Sequence, residues 1–256
     1  MGKVIAIANQ KGGVGKTTSC INLAASLVAQ QRRVLLLDSD PQGNATMGSG
    51  VNKKNLRVST NEVLLGEAEI TAAILSTQAG YDLVPGNSDL TVAEVGLLQR
   101  SRREYQLLQA LSRVRGSYDY ILIDCPPSLN MLTVNALVSA DSVLIPMQCE
   151  YYALEGLTGL LETIGSIRAN GNSKLQIEGL LRTMYDGRNR LTNEVSEQLT
   201  THFGQQLLET VIPRNVRLAE APSYGLPALL YDKTSVGAQA YLELAKEVLK
   251  RRDQEF

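Results

Sequence analysis

The chain has 256 residues, of which 44% are apolar and 20% charged, with a net charge of −1. That length can bury a full core, so one domain over 1–256 is expected, and the near-neutral charge excludes wholesale electrostatic capture of nucleic acid while leaving room for a local basic patch. Three scattered cysteines and a single histidine offer neither a CxxC pair nor a zinc ligand set, so reduced, buried thiols in a cytoplasmic protein are expected.

The first strand-like run is 4–8. It leads into Lys11-Gly12-Gly13-Val14-Gly15-Lys16-Thr17-Thr18, and a helical pattern follows over 17–29. Strand, glycine turn and helix in that order make a phosphate cradle. The glycines let backbone N–H groups turn inward, the helix start adds partial positive charge, and a lysine neutralises phosphate oxygens. Lys16 is placed to reach the β- and γ-phosphates of a nucleoside triphosphate, and the Thr17 hydroxyl to hold Mg²⁺. The glycine usual five residues before Gly15 is replaced by Gln10, and a second lysine, Lys11, stands at the start of the loop.

A second apolar run, 34–37, closes on Asp38 and continues as Asp38-Ser39-Asp40-Pro41-Gln42-Gly43-Asn44. A carboxylate just past a strand end, near a phosphate loop, can orient a water or a metal-bound water. The stretch 48–88 is the least regular, with short helices expected around 60–65 and 70–75, and a longer helix is expected over 101–113. The run 120–123 closes on Asp124, reading as a Walker B strand whose carboxylate accepts from water on Mg²⁺. Pro126-Pro127 stops that strand and Ser128 can cap the helix 131–139. A strand over 142–146 leads to a segment, 148–156, whose Tyr151 and Tyr152 are assigned to packing and dimer contacts. Helix 154–168, strand 177–181, a polar loop bearing Arg188 and Arg190, and helix 191–201 come next. A weaker strand at 211–212 runs into Pro213-Arg214-Asn215-Val216-Arg217, and a last helix spans 237 to about 252. Near-continuous apolar strands alternating with helices predict an α/β, doubly wound, mostly parallel sheet with helices on both faces. Ligands in such sheets bind beyond the carboxyl ends of the strands, where the loop, Asp38 and Asp124 all fall.

The loop at 10–18 resembles the deviant Walker A motif of the ParA/MinD group of P-loop ATPases, Asp38 to Gly43 resembles that group's switch I, and Asp124-Cys125-Pro126-Pro127 its switch II. With the segments at 148–156 and 211–223, the likeness to ParA/Soj-type chromosome or plasmid partitioning ATPases covers nearly the whole chain. It implies ATP and Mg²⁺ as ligands, bound by Lys11, Gly12, Gly13, Val14, Gly15, Lys16, Thr17 and Thr18. It further implies that Asp40 positions the attacking water, that Asp38 supports the magnesium shell with Thr17 and Asp124, and that Pro213 and Asn215 line the adenine pocket. Lys11 is implied to cross into the partner of an ATP-dependent homodimer. Arg188 and Arg217 match positions that hold non-specific double-stranded DNA, with Lys246, Lys250, Arg251 and Arg252 as additions to that patch. A ParB-like centromere-binding protein is the implied partner, and the implied location is the cytoplasm, on the nucleoid.

Three other readings share the loop. A MinD-like positioning ATPase needs a lipid-binding amphipathic C-terminal helix, whereas the stripe at 241–252 is expected to pack on the core. No leader is expected, because the run 4–8 is far too short for one, and no run approaches the ~18 apolar residues of a membrane span. A ligase of the dethiobiotin or cobyrinate type needs a small-carboxylate pocket that no constellation here supplies. A nitrogenase-reductase-like carrier needs cluster-binding cysteines, and Cys125 directly after Asp124 has the wrong spacing.

Overall fold

The computed structural model describes residues 2–151 and 153–254; Tyr152 lies outside the described residues, as do the side chains of Leu154 and Glu155. In chain order the first half forms β1 (Lys3–Ile7), α1 (Lys16–Ala29), β2 (Val34–Asp38), α2 (Asn44–Gly48), α3 (Thr60–Leu64), α4 (Ile70–Ala73), β3 (Leu75–Ser76), β4 (Asp82–Val84) and α5 (Leu90–Leu97). The second half forms α6 (Gln106–Ser112), β5 (Tyr120–Asp124), α7 (Met131–Ser139), β6 (Ser142–Gln148), α8 (Ala153–Asn170), β7 (Gln176–Tyr185) and α9 (Arg190–Phe203), then β8 (Leu207–Pro213), α10 (Val216–Glu220), α11 (Ala228–Tyr231) and α12 (Val236–Gln254). The strands make one eight-stranded sheet in the order β3-β4-β2-β5-β1-β6-β7-β8. All neighbours are parallel except β3 and β4.

Both faces of the sheet are covered, which is why its strands read as unbroken apolar runs. Val4, Ala6, Leu35, Leu37, Ile121 and Ile123 face one layer, where α7 contributes Leu132 and Ala136 and α8 contributes Leu160 and Ile164. Ile5, Ile7, Leu36 and Leu122 face the other, under Leu23 and Leu27 of α1 and Leu244 and Val248 of α12. The chain leaves β1 towards β2 on one side and reaches β6 on the other, so the crevice at the carboxyl end of β1 is a topological switch point.

Several elements differ from the sequence reading. The helix expected over 101–113 begins only at Gln106, because Arg102 takes a left-handed conformation (φ 50°) and a single 3₁₀ turn, Arg103–Tyr105, intervenes. The weak strand at 211–212 is a seven-residue edge strand, β8. Within 48–88 the two short helices form, and Leu75, expected to end the second, instead pairs antiparallel with Leu83. Helix α5 was not expected at all.

The apolar stripe of α12 is spent inside the molecule: Tyr241, Leu244, Ala245 and Val248 are buried. Its basic end is fixed at the amino ends of the strands. Arg251 donates to the Leu207 carbonyl (2.9 Å) and Arg252 to the Asp119 carbonyl (3.0 Å). That corrects their assignment to a shared patch with Arg188 and Arg217, which lie beyond the carboxyl ends of β7 and β8. Among the described residues, no helix is long and apolar enough to cross a membrane.

Candidate nucleotide site

The glycine loop joins the end of β1 to the start of α1. Gly13 (φ 73°) and Gly15 (φ 89°) are left-handed, a conformation glycine adopts without a Cβ penalty. A Cβ placed on Gly12 or Gly13 would meet nothing within 4 Å, so both border an open cleft. Gly15 caps α1 without any side-chain acceptor, which leaves the first-turn N–H groups for an anion.

Three side chains from the neighbouring strand ends hold the loop. Asn9 donates to the Pro146 carbonyl (2.8 Å) and accepts from the Lys11 N–H (2.9 Å). The Thr183 hydroxyl donates to the Val14 carbonyl (2.8 Å). Gln148 donates to the Gly13 carbonyl (3.1 Å) and to the Met184 sulfur (2.9 Å). Lys16 Nζ reaches back to the Lys11 carbonyl (3.1 Å). Burial lowers the Lys16 pKa, while Asp124 and Asp40 pull it the other way. A phosphate would supply the counter-charge that this buried ammonium needs.

The aspartates are level because β2 and β5 pair in register, Asp38 opposite Asp124. Both are fully buried. Burial raises the Asp124 pKa first, and the neighbouring Asp38 adds to the rise. The Thr17 hydroxyl donates to Asp124 Oδ2 (2.7 Å) and the Cys20 thiol approaches Oδ1 (3.4 Å). The Thr17–Asp124 oxygen pair suits Mg²⁺, which keeps most of its waters and takes few protein ligands. Asp38 differs. Its Oδ2 accepts from the Thr46 N–H (2.8 Å) and hydroxyl (2.7 Å), and its Oδ1 from the Asp40 N–H (3.2 Å). Both Asp38 oxygens thus help to hold the turn that carries Asp40, so a part in the magnesium shell would be indirect, beside Asp124.

Asp40 sits on the rim of a cleft of about 360 Å³ with Gly12, Lys16, Thr17 and Pro127. Its Oδ1 accepts from the Gln42 N–H (2.9 Å). Gly86, on the loop after β4, donates to the Thr46 hydroxyl (2.8 Å) and presses against this turn. A Cβ on Gly86 would stand 2.6 Å from the Asp38 carbonyl oxygen. Gly86→Ala is therefore expected to cost about 1–3 kcal/mol of stability by overpacking, read as a lowered urea midpoint at unchanged slope.

A second hollow of about 180 Å³ adjoins the first through Gly15, Thr18 and Met184, and is walled by Pro213, Asn215 and Tyr241. Asn215 Oδ1 caps α10 by accepting from the Arg217 N–H (3.1 Å), so its amide NH₂ is the group that can meet a ring nitrogen. Met184 belongs to both walls and holds φ 48°, a left-handed value that costs a non-glycine residue about 1–2 kcal/mol. Met184 and Thr183 are site residues that sequence reasoning missed, with no motif to mark them, whereas Gln148 opens the segment 148–156 but was given no role at the glycine loop. A roomier hollow of about 720 Å³ lies between α12 and the amino ends of β7 and β8, remote from the glycine loop.

The remaining candidates do not enter the cleft. Lys11 Nζ pairs with Glu150 (2.5 Å) on the loop after β6, and Tyr151 beside it is exposed. Arg188 forms a two-pronged pair with Asp186 (2.8 Å for each prong), and Arg217 pairs with Glu220 (2.8 Å) and Asp232 (3.2 Å). The Arg188 hydrogen bonds hold the Asp186 carboxyl well below its usual range, with a smaller contribution from Arg214.

The AAA domain family model matches residues 2–177. Chromosome partitioning protein ParA of Caulobacter vibrioides is 52% identical over 252 residues, spanning 97% of this chain and 94% of that protein. The sporulation initiation inhibitor protein Soj of Bacillus subtilis is 51% identical over 249 residues, spanning 97% and 98%. The chain belongs to the ParA/Soj family of partitioning ATPases. Among solved structures, cobyrinic acid a,c-diamide synthase from Mycobacterium smegmatis with bound ADP and magnesium is 40% identical with a TM-score of 0.88, covering 100% of this chain and 97% of that one. The cell division ATPase MinD of Pyrococcus furiosus is 30% identical with a TM-score of 0.82, covering 98% and 99%. The first of these structures carries the name of the ligase class weighed above. ParA and Soj proteins match this chain at higher identity over the same length, and family membership follows them.

Proposed function

We propose that this chain, as one domain, is an ATP-switched partitioning ATPase: an ATP-bound homodimer that holds double-stranded DNA without sequence preference and lets go after hydrolysis stimulated by a ParB-like centromere-binding protein. The observation that carries the reading is the convergence of Lys16, the Thr17–Asp124 pair and Asp40 on one glycine-lined cleft, with a purine-sized hollow beside it. The triphosphate lies along the loop, with the base between Pro213 and Asn215. Mg²⁺ bound near Thr17 and Asp124 neutralises charge on the phosphates. Lys16 neutralises the γ-phosphate, and Asp40 orients the water that attacks it.

In a lone protomer Lys11 is engaged by Glu150 of its own chain. Dimerisation exchanges that carboxylate for the partner's nucleotide, so ATP binds the dimer better than the monomer, and this difference in affinity drives assembly. Each subunit brings few cations to DNA, so doubling them strengthens binding. A MinD-like membrane role is the second reading, and α12 counts against it because Tyr241, Leu244, Ala245 and Val248, its apolar stripe among the described residues, are buried in the core.

Light scattering with ATP and Mg²⁺ under conditions that block cleavage is expected to give dimers, and with ADP monomers. Binding to an unrelated duplex is expected to be at least tenfold tighter with ATP than with ADP, an increment typical of linked sites. Monomers alone, or one affinity in both nucleotide states, overturns the switch.

A further inference from the structure

Arg188 and Arg217 point the same chemistry at solvent, and each is already answered by carboxylates of its own chain. The Arg188 side chain is 91% exposed, yet its Nε and one Nη each donate to Asp186 at 2.8 Å. Arg217 Nη1 meets Glu220 (2.8 Å) while its Nε meets Asp232 (3.2 Å). Glu220 is steadied by the Tyr231 hydroxyl (3.3 Å), and Asp232 by Thr234, whose hydroxyl donates at 2.9 Å. A carboxylate and a phosphate diester fit the same guanidinium fork. We infer that these pairs are clasps that mask the DNA surface: duplex phosphates must displace Asp186 and Glu220 from Arg188 and Arg217, and the state of the clasps sets how tightly the protein holds DNA. The inference rests on the DNA reading proposed above and adds its regulation.

Both clasps hang from walls of the nucleotide site. Asp186 lies two residues beyond Met184, which lines both hollows and is tied through Gln148 to the glycine loop. Glu220 directly follows Ala219, another wall of the smaller hollow, on the helix that Asn215 caps. A ligand that shifts either wall shifts a clasp, which gives nucleotide state a short path to the arginines. Exposed ion pairs of this kind are weak, so they open at small cost and can be biased by modest wall movements.

The test uses isosteric changes that remove the competing charge and leave the side-chain shape. Asp186→Asn, Glu220→Gln and the pair of them are compared with wild type for binding to a fluorescent duplex of arbitrary sequence, with ADP and with ATP, across a KCl series. A control, Glu69→Gln, frees Arg113 from its own exposed pair elsewhere on the surface and changes net charge equally. With ADP, each clasp variant is expected to tighten binding by about two- to fivefold, matching the small cost of opening an exposed pair. The slope of log affinity against log salt is expected to stay close to that of wild type, because the same arginine–phosphate contacts form once the carboxylate is displaced. Adding Arg188→Ala to Asp186→Asn should abolish the gain, and Glu69→Gln should show none. ADP-state affinity unchanged in the clasp variants, or an equal gain in Glu69→Gln, overturns the masking. Wild type that binds no duplex in either state removes the DNA reading itself and the clasps with it, an outcome distinct from the first.

Discussion

Lys16→Ala is expected to lower affinity for ATP by about a hundredfold or more, corresponding to about 3 kcal/mol or more for a buried charge-assisted contact left unmade. The size follows from burial. Lys16 is a largely desolvated ammonium on the floor of the glycine loop, tethered by the Lys11 carbonyl and faced by Asp124 and Asp40. A phosphate there meets a cation that water screens poorly, so losing it costs far more than losing a surface lysine. Lys16→Arg tests geometry separately. The guanidinium keeps the charge but spreads it over a rigid planar fork in place of a compact ammonium, so only partial recovery is expected. Isothermal titration with a non-hydrolysable ATP analogue measures both variants. Lys16→Ala binding within threefold of wild type removes Lys16 from phosphate recognition. Lys11→Ala, whose side chain is half exposed and turned towards Glu150, should affect dimerisation more than the affinity of the monomer.

The parts of the site that could be read from sequence are those fixed by neighbours in the chain. Strand periodicity placed Asp38 and Asp124 at strand ends, and the sheet brings them side by side because β2 and β5 pair in register. The glycine loop was legible because strand, turn and helix follow one another directly. Supports that arrive from distant strands were not. Thr183 reaches Val14 across 169 positions of sequence, and Gln148 reaches Gly13 across 135. Nothing local distinguishes Thr183 from an ordinary strand-end polar residue, and the segment that Gln148 opens does not show that it grips the loop. The grip of Asp38 on its own turn escaped for a related reason, since its partner Thr46 belongs to the five-residue helix α2, too short to show a periodic pattern. Helix α5 escaped because its outer face carries Val92 and Val95, which are exposed, and blurs the apolar stripe of Leu90, Ala93 and Leu97. The pairing of Arg188 with Asp186 spans a loop where charge patterning predicts nothing.

Asp40→Ala is expected to slow hydrolysis by about 10²- to 10⁴-fold, the usual loss when a positioned group that handles the attacking water is removed. Nucleotide binding should change little, because Lys16, the loop and the Asn215 wall are untouched. The variant is then expected to accumulate as an ATP-bound dimer that stays on DNA. Asp40 also has a second task, since its Oδ1 accepts from the Gln42 N–H and so shapes the turn. Alanine removes both functions together, and asparagine divides them. Asp40→Asn keeps an oxygen for Gln42 but carries no charge to draw a proton from water. If Asp40 acts on water, Asn and Ala variants are equally slow in single-turnover assays while only Ala loosens the turn, read as faster proteolysis at the exposed Gln42. If Asp40 merely shapes the turn, Asn recovers most of the rate. Full turnover in Asp40→Ala would leave hydrolysis to another group. The buried Asp124 is poorly placed for that role, because its oxygens are already engaged by Thr17 and Cys20.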